Sequence, residues 1–225
     1  MRLDKFLADL GLGTRSEIKK IIKKEEVLVD GVKAKSGDQQ VSLDAVVTVN
    51  GLEFRYVEYE YYLLNKPAGY LCTVDDSPNV TELVASVRHD VMPAGRLDKD
   101  TEGLILLTND GQLVHHLLSP KHHVDKTYYV ETDLPIPADA PEIFSKPMDL
   151  GDFTAQPSHL VLKGENSAEL TIHEGKYHQV KRMFASLGLT VTYLKRIRFA
   201  DLTLEGLDIG EYRALTEEEV ARLRG

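Results

Sequence analysis

The chain has 225 residues, is 42% hydrophobic, carries a single cysteine and has a formal net charge of -9. Such an apolar share can build a core and excludes global disorder, and one thiol, Cys72, excludes an internal disulfide framework and fits a reducing cytoplasm. The first residues lack a secretory pattern and no apolar run nears the roughly 18 residues of a membrane span, so the expectation is a soluble, cytoplasmic protein without a membrane partner.

Residues 1–50 read as a small module. Leu3, Phe6, Leu7 and Leu10 fall at helical spacing, and Gly11 and Gly13 break that helix. Thr14 is placed to cap the next one, whose Ile18, Ile21 and Ile22 face inward. Arg15, Lys19 and Lys23 recur every fourth residue, with Lys20 and Lys24 beside them, giving a basic face. Strands follow at Val27–Val29 and Val46–Val49, with Asp30-Gly31 as a turn. Residues 51–60 are polar and acidic and read as a connector, leaving 61–225 as the larger domain.

In the second domain Tyr61 to Asn65 reads as a strand ending in a Pro/Gly loop. From Gly95 to Gly111 a charged segment runs into the apolar Leu104–Leu107 and closes on Asn109-Asp110-Gly111, a turn. That is a loop delivering a carboxylate, anchored at once by a buried strand. A helix is expected from Gly111 to Ser119. Its His115 and His116, and His122 and His123 after it, complete no standard donor set, so no metal is expected. Lys126 to Val130 alternates as a strand, with Tyr128 and Tyr129 on opposite faces.

Five prolines between Leu134 and Pro157 imply an irregular connection. Strands are expected at 160–162 and 168–172. A helix then carries Val180, Met183, Phe184 and Leu187 on its core side, with His178, Lys181 and Arg182 on the other. Leu194–Phe199 alternates as a basic edge strand, and Thr216 with Glu219 forms a capping box for a last helix. From Thr171 to Ala200 six Lys/Arg oppose one Glu, a balance of +5, whereas from Asp201 to Gly225 seven acids oppose three Arg, a balance of -4. A basic local face on an acidic body is compatible with salt-sensitive RNA binding.

The pattern Gly-Arg-Leu-Asp-x-x-Thr-x-Gly-Leu-x-Leu-Leu-Thr-x-Asp-Gly over residues 95–111 resembles the signature of RNA pseudouridine synthases of the RsuA/RluB branch. Leu64-Asn65-Lys66-Pro67-Ala68-Gly69, the segment Glu174 to Met183 and the closing Gly210-Glu211-Tyr212-Arg213 are similar to further elements of that family. The head, with Arg2-Leu3-Asp4, Thr14-Arg15 and Val27-Leu28-Val29-Asp30-Gly31, resembles the S4 RNA-binding domain, except that Glu26 stands where that domain often has glycine.

The resemblance implies an α+β protein, with an S4-like head and a mixed, mainly antiparallel sheet flanked by helices. It implies an isomerase without cofactor that converts a uridine of ribosomal RNA to pseudouridine. The wording Tyr177-His178-Gln179-Val180-Lys181-Arg182-Met183-Phe184 is more similar to small-subunit enzymes, which implies 16S rRNA and its uridine-516. By the same resemblance Asp98 is the catalytic residue, Lys181 pairs with it, and Tyr128 is the active-site tyrosine. Arg2, Lys5, Arg15, Lys19, Lys20, Arg96, Lys176 and Arg182 are the implied RNA contacts, and the protein is expected to act as a monomer.

The chemistry asks for a carboxylate that stays ionised in a dry pocket. Burial raises an Asp pKa and an adjacent cation lowers it; at about 4 Å and an effective dielectric near 20 the attraction is roughly 4 kcal/mol. Three other readings remain open: a synthase acting on 23S rRNA, a non-catalytic assembly factor that binds RNA, and a hydrolase using Asp98 and Asp100. The last is disfavoured because two residues in a loop give no fixed carboxylate spacing.

Overall fold

Thr14 starts the second helix of the chain with a reciprocal box: Glu17 donates its N–H to the Thr14 hydroxyl, and the Thr14 N–H donates to the Glu17 carboxylate. In the computed structural model, which describes residues 1–225, this is α2 (Arg15–Lys24), after α1 (Leu3–Asp9). Ile18 and Ile22 turn inward onto Leu3, Phe6, Leu7, Val27 and Val47, Ile21 packs at the margin, and the lysines stay outside. A four-stranded sheet closes this unit in the order β2 (Val32–Lys33), β1 (Val27–Val29), β3 (Val46–Val49), β4 (Leu52–Arg55). Asp30 and Gly31 both take positive φ, 49° and 78°, as the two-residue β1–β2 hairpin requires. Glu26 needs no such conformation; its N–H donates to the Asn50 side chain at 3.3 Å.

The expected connector at 51–60 is corrected here. Leu52–Arg55 pairs with Val46–Val49 and belongs to the first sheet. The first compact unit comprises residues 1–60 together with 85–91, and the second comprises 61–84 and 92–225. Arg88 explains the return of the chain: its buried guanidinium bonds Asp90, reaches Asp9 at 3.5 Å and lies over Tyr56. A sequence window around Arg88 carries no sign of a partner as far back as Asp9.

The second unit is built on a nine-stranded sheet. Its main path is β11 (His159–Leu162), β12 (Ser167–Ile172), β8 (Lys126–Thr132), β13 (Val191–Phe199), β7 (Glu102–Thr108), β5 (Tyr61–Lys66) and β15 (Tyr212–Ala214). The short β6 (Met92–Pro93) joins β7, and β14 (Leu202–Thr203) joins β13. Only the β7–β13 pairing is parallel, so the sheet is mixed and mainly antiparallel, as the resemblance implied. β7 lies inside this sheet, and its Leu104, Ile105, Leu106 and Leu107 are all fully buried, which is why it reads as a continuous apolar run rather than an alternation.

Helices α3 (Gly111–Leu118) and α6 (Glu217–Arg224) cover one cluster with Leu113, Leu117 and Leu223 against Leu63, Leu104, Leu106 and Phe199. Glu219 caps α6 with Thr216 and also bonds Arg213, whose guanidinium holds its carboxyl down at about 2. The proline-rich connection contains three short elements, α4 (Ala140–Phe144), β9 (Met148–Asp149) and β10 (Thr154–Ala155). Phe144 of α4 packs on Phe184 of α5 (Gln179–Ala185), with ring centroids 5.1 Å apart.

β13 overturns one expectation. It runs between β8 and β7 rather than along an edge, and Arg196 is 2% exposed. A basic alternating segment looks like an edge by composition, yet sheet order is set by long-range pairing. Gly103 marks where β7 and β13 come closest: a Cβ there would stand 2.2 Å from the Arg196 carbonyl oxygen, and its φ is 103°. Gly103→Ala is therefore expected to cost about 3 kcal/mol or more through overlap and backbone strain. An unchanged urea midpoint for that variant would contradict this close approach.

Candidate active site

The loop bearing Asp98 is held through backbone carbonyls, by bonds that do not use the Asp98 carboxylate. Lys66, at the end of β5, is fully buried, and its ammonium donates to four carbonyls: Pro67, Asp98, Lys99 and Thr101, at 2.7–3.3 Å. Burial lowers the Lys66 pKa, while nearby acidic groups oppose that shift. Gly69 donates its N–H to the Lys99 carbonyl at 2.7 Å, and Thr101 donates to the Asp98 carbonyl at 3.1 Å. The Leu-Asn-Lys-Pro-x-Gly segment thus lies against the Asp98 loop and holds it from behind. The Lys66 role was not legible in the sequence, where Lys-Pro reads as an ordinary turn.

The Asp98 side chain is 27% exposed, with the Lys181 ammonium 3.3 Å from Oδ2 and His178 Nε2 3.6 Å from Oδ1. Lys181, from the first turn of α5, does not serve Asp98 alone. It donates to both oxygens of the far more exposed Asp100, at 2.7 and 2.9 Å. Burial opposes the Lys181 charge, but the bond to Asp100 and the fields of both carboxylates outweigh it and raise its pKa. Asp100 is in turn held below the usual carboxylate range by its bond to Lys181. The expected pair is thus part of a larger cluster, in which one cation brings two loop carboxylates together and His178 stands beside Asp98.

Tyr128 lies on the buried face of β8 and is 7% exposed, while Tyr129 on the opposite face bonds Glu131 at 3.0 Å. Tyr128 pairs across strands with Leu170 and with Arg196. Arg196 donates Nε–H to the Leu104 carbonyl at 2.7 Å and lies over Phe199, but its buried Nη2 has no partner. Lys126, also buried on that face of β8, is pushed down to about 8, first by burial and then by Arg196. Two desolvated cations therefore flank Tyr128 along the sheet.

The descriptive model of the RNA pseudouridylate synthase family matches residues 60–186, and that of the S4 domain matches residues 1–47. The chain belongs to the RNA pseudouridylate synthase family. It is 45% identical over 98% of its length to an uncharacterized RNA pseudouridine synthase of Bacillus subtilis, covering 97% of that protein. It is 45% identical to the ribosomal small subunit pseudouridine synthase A of Vibrio cholerae, over 99% of each chain. A crystal structure of a pseudouridylate synthase superposes with a TM-score of 0.71 at 39% identity, over 99% of each chain. The protein is accordingly an isomerase with an S4 domain at its head.

Within this synthase the expected RNA contacts fall into two groups. Arg15, Lys20, Arg96 and Lys176 are exposed, and so is Lys19, whose ammonium stands 4.0 Å from Asp4. Arg2, Lys5 and Arg182 are already engaged: Arg2 forks onto buried Asp4, Lys5 bonds Asp9 at 2.5 Å, and Arg182 bonds Asp152 and the Leu150 carbonyl while lying over Phe153. These three shape the surface in the free protein; as RNA contacts they would have to exchange partners. His178 was missed as a member of the Asp98 cluster. The apolar period puts it on the polar face of the helix, whereas it stands just before α5 in a left-handed backbone, φ 49° and ψ 31°, with its ring beside Asp98.

Proposed function

We propose that this synthase isomerises a uridine of small-subunit ribosomal RNA, with uridine-516 of 16S rRNA as the site. The observation that carries the proposal is a partly exposed Asp98 carboxylate beside the Lys181 ammonium, in a chain matched end to end by a small-subunit enzyme. In the reaction the N1–C1′ bond breaks, the base turns, and C5 bonds to C1′. C5 then loses its proton and N1 gains one, so nothing is oxidised and nothing is added.

Asp98 supplies the anion, as nucleophile or as counter-charge to a cationic ribose. Lys181 orients that anion and keeps Asp100 from repelling it. The target base must leave its stack at a cost of a few kcal/mol. Tyr128 receives it with an aromatic face, worth about 1–3 kcal/mol. The S4 head contributes Arg15, Lys19 and Lys20 to phosphates, with Arg2 and Lys5 beside them; Arg96, Lys176 and Arg182 contribute from the synthase domain. Binding then weakens as salt rises. On this reading the enzyme works in the cytoplasm, as a monomer.

Incubating 16S and 23S rRNA with the protein and mapping pseudouridine by carbodiimide-dependent primer-extension stops tests the target. A new stop in 16S rRNA is expected. Stops confined to 23S rRNA would move the target, and none in either would leave an RNA-binding assembly factor. Tyr128→Phe keeps the ring and removes the hydroxyl. If stacking is its role, the single-turnover rate stays within a few-fold of wild type; a collapse would assign the hydroxyl to proton transfer.

A further inference from the structure

Tyr177 is the most exposed large hydrophobic side chain of the protein, at 76%. Its ring is not loose: it stacks on His178 with centroids 3.8 Å apart and planes 19° from parallel. His178 in turn places Nε2 3.6 Å from Asp98 Oδ1. The two rings form a short column that starts at the carboxylate and ends in solvent.

The backbone beneath this column is held firmly. A left-handed conformation at a non-glycine residue costs of order 1–3 kcal/mol and persists where its surroundings over-determine it. Here the His178 carbonyl accepts from Arg182 N–H at 3.0 Å, and Gln179 N–H donates to the Lys176 carbonyl at 3.1 Å. The buried Gln179 side chain accepts from Lys176 N–H at 3.0 Å and donates to Glu174 at 2.8 Å. A turn braced in this way presents its aromatic ring at little entropic cost.

We propose that the Tyr177–His178 column is a stacking platform for the nucleobase adjacent to the target uridine. The inference rests on the functional reading above. When the target base swings out, its neighbour loses one stacking partner, and the ring spacing of the column is that of stacked aromatic planes. Tyr177 is 76% exposed against 37% for the His178 side chain that touches Asp98, which suits it to the flanking nucleotide rather than the reacting one. Lys176, exposed beside it, suits the phosphate of that nucleotide. Because every base has a π-face, the platform adds affinity and register without fixing base identity.

The test uses full-length protein and a small-subunit rRNA fragment containing the mapped uridine, intact or with an abasic nucleotide on its 5′ or its 3′ side. Tyr177→Ala is expected to weaken binding to the intact fragment roughly tenfold to hundredfold, and Tyr177→Phe to bind like wild type. On one of the two abasic fragments wild type and Tyr177→Ala should bind alike. Equal affinity of wild type and Tyr177→Ala on the intact fragment, or an alanine loss that persists on both abasic fragments, would overturn the platform. Wild-type pseudouridine formation on the intact fragment is scored in parallel. Turnover with either of those binding results refutes the platform alone, whereas no turnover refutes the reading it rests on.

Discussion

Asp98→Asn is expected to reduce pseudouridine formation by about four orders of magnitude or more, as removal of a reacting group does in other enzymes, while RNA binding changes at most a few-fold. The separation follows from how the loop is held. Lys66 and Thr101 both donate to the Asp98 carbonyl, and neither contact uses the side chain. Asparagine keeps the size of the carboxylate and removes its charge, so the loop keeps its place while the anion is lost. Single-turnover assays with tritiated uridine RNA and filter binding read the two quantities separately. Appreciable turnover by the variant would remove Asp98 from the chemistry, and a parallel loss of binding would mean that its charge shapes the RNA site instead.

Lys181→Met is expected to lower the single-turnover rate about a hundredfold to a thousandfold, the range seen when one preorganised electrostatic contact is removed. Methionine fills the volume of the stem and deletes the ammonium that stands 3.3 Å from Asp98 and 2.7 Å from Asp100. The two carboxylates are then left facing each other with no cation between them, so Asp98 loses the contact that orients it. Stability should change little, because the cluster is partly exposed and such pairs contribute about 0–1 kcal/mol. Lys181→Arg should recover much of the rate by restoring the charge. A methionine variant of near-normal rate would show that Asp98 is oriented without Lys181, and one that melts far below wild type would assign Lys181 to the fold. The raised Lys181 pKa adds a sign to this: the cation persists through neutral pH and is lost only well into the alkaline range, so rate loss near pH 7 has another origin.

The basic face of the S4 head illustrates how composition and structure divide the work. Arg15, Lys19 and Lys20 stay exposed because Ile18 and Ile22, on the same helix, take the buried side. That partition is a matter of helical period and is legible in the chain. Arg2 and Lys5 have the same charge, yet acidic neighbours at Asp4 and Asp9 already hold them.

From the sequence alone came the elements, their caps and the motif residues. Apolar period distinguishes a helix face from a strand, Thr14 and Thr216 announce their helices by local hydrogen bonding, and the short run Leu104–Leu107, bounded by Gly103 and the turn at Asn109-Asp110-Gly111, reads as a buried strand. Those signals are local: each depends on residues within a few positions of one another. What joins Lys66 to the Asp98 loop, Lys181 to both Asp98 and Asp100, and Arg88 to Asp9 depends on chain segments brought together across tens of residues, and no spacing encodes it. The tertiary structure alone decided that β13 is interior and Arg196 buried, that β4 belongs to the head, and that His178 turns toward the carboxylate. The physical reason is that burial of a side chain is fixed by what pairs beside its strand, and pairing is a property of the whole sheet.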